Sequence, residues 1–193
     1  MDLQPYFLAQ KMTDLGHLSP ASKDLFFNKI HLKTFAKNEM LLKEGKVCHE
    51  IYFVEHGHLR TFYNKEGKEI NLQFTLPGNF VTDLKSLRNG SPSSYNIVAG
   101  ATSSVWVFEK EKLLKLYEQS AEITAFGKNL LELLLMEQEA HAHRLKIQTP
   151  EERYLYIEKE EPQLLQTISL TQLSSYLGIS RESLSRIRKR RSL

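Results

Sequence analysis

Glycines recur every ten to twelve residues through the region His31 to Glu109, at positions 45, 57, 67, 78, 90 and 100. The segments between them are short and rich in β-branched and aromatic residues: IYFV (51–54), LRTFY (59–63), INLQFTL (70–76), YNIVA (95–99) and SVWVF (104–108). Short strands separated by turn residues at this interval are typical of an antiparallel sandwich or jelly roll. The spacing therefore predicts a β-roll, with NKEGKE (64–69) at the tip of a hairpin.

A proline-free stretch follows the β-roll and continues until Pro150. It predicts one helix of up to about 35 residues, bent near Gly127 and roughly 50 Å long. The middle of this helix, LLELLLM (130–136), is apolar on nearly every side, so it needs two packing partners. We expect one face to cover the β-roll and the other to pack on a second copy of the chain. The predicted seam between the copies consists of Leu116, Ile123, Leu130 and Leu134. A central helix of a monomer is the alternative.

Helix start signals define the domain limits. Ser19-Pro20 begins a helix within residues 1–30, and Thr149-Pro150, followed by two acidic residues, begins another. We predict three parts: the β-roll over residues 1–109, the long helix over 110–147 and a C-terminal domain over 148–193.

The last part of the chain has the pattern of two helices around a turn. Ser169 and Gln172 can form a capping box for the first helix, Gly178 permits the left-handed conformation that ends it, and Ser180 can cap the second. On the second helix, Leu184 and Ile187 lie on one side. The opposite side carries polar and charged residues within an arc of about 140°: Arg181, Glu182, Ser185, Arg186 and Lys189. This pattern is typical of a helix-turn-helix, in which the start of the second helix meets base edges.

The charge distribution also favours a polyanionic partner. Residues 1–140 contain 16 Lys/Arg and 17 Asp/Glu, whereas residues 141–193 contain 10 and 6. Guanidinium groups can bind guanine, and a glutamate can accept a hydrogen bond from cytosine. An αα-hairpin with a solvated charged face is the alternative.

The order of β-roll, long helix and helix-turn-helix resembles the Crp–Fnr family of bacterial transcription regulators over essentially the whole chain. The stretches that carry the resemblance are NEMLLKEGKVCHEIYFVEHGHLR (38–60) and SRESLSR (180–186). It implies an α+β fold with an N-terminal double-stranded β-helix of the cyclic-nucleotide-binding type, a dimerisation helix and a winged-helix-like C-terminal domain. It further implies a cytoplasmic homodimer that binds a near-palindromic DNA site and contacts RNA polymerase.

The same resemblance assigns base reading to Arg181, Glu182 and Arg186. It places four hydroxyl residues at the DNA backbone: Ser169, Thr171, Ser180 and Ser183. To these backbone contacts we add three residues of the second helix from its geometry and charge: Ser185, Arg188 and Lys189.

The effector pocket departs from the family pattern. Members that bind cyclic nucleotides supply a Gly-Glu pair and an arginine, a planar donor that suits a phosphate. Here Gly78 is present, but Asn79 stands at the glutamate position and Ser93, next to Ser94, at the arginine position. We therefore expect neither a cyclic nucleotide nor another cofactor, and the sequence does not indicate which effector binds. The segment EKEEPQLLQT (158–167) is short, which predicts a minimal wing or a helical turn.

Two other functions are open to such a chain: a cupin-type metalloenzyme, or a regulator that responds to a ligand other than a nucleotide. The β region contains scattered histidines (His49, His56 and His58), and His141 and His143 point to different faces of a helix. Cys48 is the only cysteine, which excludes a protein-held iron–sulfur cluster. We expect no metal site and no catalysis. Without an apolar stretch of about 20 residues or a signal-like N-terminus, we expect no membrane partner.

Overall fold

The computed structural model describes residues 6–191, which form an N-terminal β-roll, helices packed against its outer face and a C-terminal helical domain. The strands are β1 (His31–Phe35), β2 (Met40–Leu42), β3 (Glu50–His56), β4 (Leu59–Lys65), β5 (Lys68–Thr75), β6 (Phe80–Val81), β7 (Asn96–Ala99) and β8 (Ser103–Glu109). The helices are α1 (Tyr6–Leu15), α2 (Pro20–Phe27), α3 (Leu84–Asn89), α4 (Lys110–Gln119), α5 (Ala121–Ile147), α6 (Pro150–Glu160), α7 (Pro162–Thr167), α8 (Leu170–Leu177) and α9 (Arg181–Arg191).

The roll consists of two antiparallel four-stranded sheets, ordered β1-β8-β3-β6 and β2-β7-β4-β5. The predicted hairpin tip is confirmed, because β4 and β5 pair up to Lys65 and Lys68. Both residues of the connecting turn have positive φ, 50° at Glu66 and 79° at Gly67. Two such residues form the tight turn whose twist matches that of the flanking strands.

Side chains on β3 and β8 alternate between two hydrophobic clusters. Between the sheets lie Tyr52, Val54, Val105 and Val107. On the outer face, under the helices, lie Phe53, Trp106 and Phe108. Because both faces of these strands are covered, their sequences are apolar almost throughout and show only partial period-two alternation.

The outer cluster is closed by α1, α2, α4 and α5. Helix α1 is anchored by the carboxylate of Glu55, which is 5% exposed. It accepts hydrogen bonds from the backbone N–H groups of Phe7 (2.8 Å) and Leu8 (3.3 Å) and from the indole of Trp106 (3.0 Å). The carboxylate thus satisfies unpaired donors in the first turn of the helix.

The predicted single long helix is in fact two helices, and the break lies at Ser120 rather than near Gly127. Ser120 is extended (φ −145°, ψ 117°), and its hydroxyl accepts from the N–H of Ile123 to cap α5. Gly127 lies inside regular helix, where a Cβ would come within 2.4 Å of the Tyr117 hydroxyl. This glycine therefore allows α4 to pack closely on α5 and does not bend the helix. The 27 residues of α5 span about 40 Å.

The four residues predicted to form the intersubunit seam occupy the protomer's own core. Leu116, Ile123 and Leu130 are at most 7% exposed, and Leu134 packs against the same outer cluster. They contact the roll, so they are not available to a second copy, and the prediction of this seam needs correction. The apolar residues that α5 exposes lie on other faces: Leu131, Leu135, Met136, Leu145 and Ile147.

The C-terminal domain packs around a third hydrophobic cluster contributed by α6, α7, α8 and α9. Residues 150–191 form helices and turns without a strand. Helix α7 occupies the short segment where a wing would lie, as the helical-turn alternative predicted. No helix in the described part of the chain has the length and apolar character to cross a membrane.

Arg153, on α6, joins three helices at the connection between α5 and the C-terminal domain. Its guanidinium donates to the carbonyls of Gln148 (2.8 Å) and Leu145 (3.4 Å) at the end of α5. It also donates to the carbonyl of Leu177 (2.8 Å) at the end of α8. A cation there satisfies carbonyls that a helix C-terminus leaves unpaired and complements the helix dipoles.

Replacing Arg153 with Ala should therefore loosen the C-terminal domain, at a cost of about 2 kcal/mol, because carbonyls of two helix ends lose a charged donor. Hydrogen exchange of the α6 and α8 amides should accelerate while that of β3 and β8 stays unchanged. Arg153→Lys keeps the charge but loses the forked geometry, so we expect an intermediate effect. Unchanged protection of α6 and α8 in Arg153→Ala would contradict this role.

Candidate nucleic-acid interface

Local capping bonds build the two helices of the C-terminal motif. Ser169 and Gln172 form the predicted capping box, in which the Ser169 hydroxyl accepts from the Gln172 N–H (3.2 Å). Gly178 ends α8 in the left-handed conformation (φ 68°, ψ 34°), which L-residues with a side chain rarely adopt. The hydroxyl of Ser180 then accepts from the N–H of Ser183 (3.1 Å) at the start of α9. The turn between the helices is thereby fixed by its own sequence.

Helix α9 has one buried and one exposed side. Leu184 (0% exposed) and Ile187 (5%) insert into the third cluster beside Leu173 and Leu177. The residues predicted for the other side are exposed: Arg181, Glu182, Ser185, Arg186 and Lys189. The structure thus brings the three predicted base-reading residues together on one open surface at the start of the helix.

Neighbouring groups of α9 affect the charge state of Glu182 and the position of the Arg186 side chain. The pKa of Glu182 is lowered, first by its own backbone N–H, then by the Ser180 hydroxyl, and further by Arg181 and Arg186. Glu182 is therefore an ionised acceptor at neutral pH. Arg186 donates to the Ser183 hydroxyl at 3.2 Å, one turn before it.

The last two arginines of α9 are exposed and form ion pairs with acidic residues of α6. Arg190 lies 3.5 Å from the carboxylate of Glu151, and Arg191 lies 2.6 Å from that of Glu158. Both acids are on α6, so these contacts hold the end of α9 to the domain. Among the exposed cations of α9, Arg181, Arg186 and Lys189 make no salt bridge within residues 6–191.

The residues predicted to contact the DNA backbone form two groups, one at the starts of α8 and α9 and the other further along α9. Ser169, Thr171 and Ser180 are exposed at the starts of α8 and α9, and Ser183 is partly buried. The hydroxyls of Ser169 and Ser180 accept bonds as helix caps, and they also donate to Gln172 Oε1 and Ser183 Oγ, each at 3.2 Å. A phosphate oxygen would therefore replace the acceptor of each hydroxyl hydrogen. Ser185, Arg188 and Lys189 are exposed further along α9.

Contacts between α8 and β5 fix the motif on the roll, and the sequence did not predict them. The backbone N–H of Asn71 donates to the Ser175 hydroxyl (3.0 Å), and its side-chain amide donates to the Gln172 carbonyl (3.3 Å). The buried Arg60 donates to the Asn71 side chain (2.9 Å) and pairs with Glu69 (2.6 Å). The sequence signal for these contacts was Asn71, a polar residue inside the apolar run INLQFTL (70–76).

The four residues of the predicted degenerate effector pocket are held at different parts of the roll. Gly78 (φ 85°) donates its N–H to Val54 on β3, and the Asn79 amide donates to the carbonyls of Leu76 and Pro77. Ser93 is buried and bonds to the turn between β2 and β3, while Ser94 is exposed.

The histidines of the roll do not assemble into a metal centre. Within residues 6–191, no group of three His, Cys, Asp or Glu side chains is arranged to hold a metal ion. His58 is buried, and its pKa is lowered by burial and by the charges of Arg60 and Lys37. On α5, His141 stacks on Tyr176 whereas His143 is exposed, so the two point apart as predicted.

Comparison with known proteins agrees with this architecture. Residues 32–120 match the family model of the cyclic nucleotide-binding domain. No curated protein sequence matches the chain.

Several solved structures share the fold. FixK2 from Bradyrhizobium japonicum is 20% identical, with a TM-score of 0.70 over 83% of both chains. A Crp/Fnr-family transcriptional regulator from Eubacterium rectale is 19% identical, with a TM-score of 0.66 over 88% of this chain and 82% of that one. The c-di-GMP-responsive regulator CLP from Xanthomonas campestris is 19% identical, with a TM-score of 0.65 over 90% and 92%. Residues 32–120 are therefore similar to a cyclic nucleotide-binding domain, and the chain has the overall fold of the solved Crp/Fnr-type structures.

Proposed function

We propose that this protein is a sequence-specific DNA-binding transcription regulator that acts as a homodimer on a near-palindromic site. The observation that carries the proposal is the two-sided α9, with Leu184 and Ile187 buried and Arg181, Glu182 and Arg186 exposed at its start. Side chains at this position of a helix-turn-helix reach base edges in the major groove. The regulators FixK2 and CLP support the proposal through their shared fold.

The roles of the individual residues follow from their chemistry. Arg181 and Arg186 offer forked donors that suit guanine O6 and N7, and ionised Glu182 can accept from cytosine N4. The hydroxyls of Ser169, Thr171, Ser180 and Ser183, at the helix starts, suit phosphate oxygens. Lys189 adds a point charge that attracts phosphates of any sequence.

Dimerisation would place two such helices in successive major grooves, about 34 Å apart. We assign the dimer contact to a stripe of exposed residues on α5, defined by Leu131, Leu135, Ala142 and Leu145. At 100° per residue these four lie within an arc of about 80°, next to the face that covers the roll. Their spacing of four, seven and three residues follows a heptad pattern, which is typical of paired helices.

The rest of the proposal concerns regulation. The roll would sense a signal other than a cyclic nucleotide, because Asn79 and Ser93 supply no charge at the two anchoring positions. Contact with RNA polymerase in the cytoplasm follows from the family resemblance. We assign no catalytic activity, because the family that the chain resembles consists of transcription regulators.

Replacing Arg186 with Ala should weaken binding to a duplex selected from a random pool by about 1–3 kcal/mol and relax its base preference. Lys189→Ala should instead weaken binding to all duplexes alike and lower the salt slope by about one. Competition binding against selected and random duplexes at several salt concentrations measures both effects. Arg191→Ala is the control, because this arginine is paired with Glu158. Equal losses on selected and random DNA in Arg186→Ala would contradict base reading.

Leu135→Glu should turn the dimer into monomers, because a charge in an apolar helix seam is left without water or a partner. Met136→Glu provides a matched control: both residues are exposed (55% and 67%), but Met136 lies about 100° away from Leu135. Sedimentation of both variants gives their masses, and specific DNA affinity should fall only in Leu135→Glu. A dimer that survives Leu135→Glu would contradict the stripe as the interface.

A further inference from the structure

A cavity of about 450 Å³ lies where the roll, α5 and the C-terminal domain meet. Its walls come from the end of β5, the second half of α5, the α6–α7 junction and α8. The volume falls within the range of small-molecule sites, and the walls belong to both domains. It is separate from the interior of the roll, whose core residues form another cluster.

Two carboxylates without an ion pair line this cavity. Glu137 on α5 and Glu161 at the α6–α7 junction make no salt bridge with any residue between 6 and 191. Partial burial raises the pKa of both, and the charge of Glu137 raises that of Glu161 further; Lys11 and Arg144 act in the opposite direction. A cation in the cavity would add a direct ion-pair partner, which neither carboxylate has among residues 6–191.

The aromatic walls favour a flat or cationic ligand. Tyr176 stacks on His141 (ring centroids 5.7 Å apart, planes 15° apart) and meets the edge of Phe74 at 5.4 Å. Burial and the charge of Arg144 lower the pKa of His141, so its imidazole is neutral at physiological pH. Arg144 itself lies 4.2 Å from the ring of Tyr156, where the aromatic face attracts its charge.

We propose that this cavity binds a small organic cation, such as an amidinium, guanidinium or ammonium compound, between the carboxylates of Glu137 and Glu161 and the rings of Tyr156 and Tyr176. An anion would meet three carboxylates, those of Glu137, Glu160 and Glu161, against the single guanidinium of Arg144, so a phosphate-bearing ligand does not fit. The cation would change the position of the helix-turn-helix, because it contacts α5 and α8 together. This regulatory part rests on the proposed DNA-binding function.

Titration calorimetry of the full chain with benzamidine tests the site, and neutral benzamide, which has nearly the same shape, is the control ligand. We expect saturable benzamidine binding that is at least tenfold tighter than that of benzamide. The double variant Glu137→Gln/Glu161→Gln should lower benzamidine affinity at least tenfold. It should fold normally, since neither carboxylate makes a salt bridge within residues 6–191. Glu132→Gln/Glu139→Gln, which removes two carboxylates of α5 outside the cavity, should bind as the unaltered protein does.

Equal affinity for benzamide and benzamidine, or full affinity in Glu137→Gln/Glu161→Gln, would overturn the proposal. So would the absence of saturable binding by all three of benzamidine, agmatine and spermidine. Duplex binding is measured separately, with and without the cation. Cation binding by a protein that binds no DNA would overturn the proposed function and support the site, whereas DNA binding without cation binding would overturn the site alone.

Discussion

The alternation of side chains along β3 and β8 is the constraint on which the rest of the structure depends. One set, including Val54 and Val105, fills the roll, and the other, including Phe53 and Phe108, forms the surface on which α5 packs. Burial of large apolar side chains on both faces contributes about 1.5–3 kcal/mol for each of them. A strand pair covered in this way joins the roll to the helices, so α5 leaves the N-terminal domain in a fixed direction.

That direction determines where the C-terminal domain lies. Arg153 ties the end of α5 to α6 and α8, while Asn71 and Ser175 tie α8 to β5. The helix-turn-helix is therefore attached to the roll at two points, by its connecting helix and by direct contact. A ligand in the cavity between these points would act on both attachments, which is the basis of the regulatory role proposed for it.

The positive charge near the chain terminus is divided between two tasks. Arg190 and Arg191 pair with acidic residues of α6 and stabilise the domain, whereas Arg181 and Arg186 remain on the open surface. Counting charges along the sequence treats these arginines as equivalent. The arginines differ because successive turns of α9 have different neighbours. The carboxylates of α6 lie next to the last turn and pair with Arg190 and Arg191.

Local signals in the sequence were sufficient for the strands, the β4–β5 turn, the caps at Ser169 and Ser180 and the glycine end of α8, because each depends on neighbouring residues. They misplaced the helix break, since Ser120 is a cap whose hydroxyl also contacts Ser22 on the distant α2. They also misplaced the seam: a helix that is apolar all round does not reveal which face its own roll will cover. The sequence by itself determined the elements and the two-sided α9. Only the tertiary structure decided the face of α5 that remains open and the cavity with Glu137 and Glu161, because both depend on contacts between segments far apart in the chain.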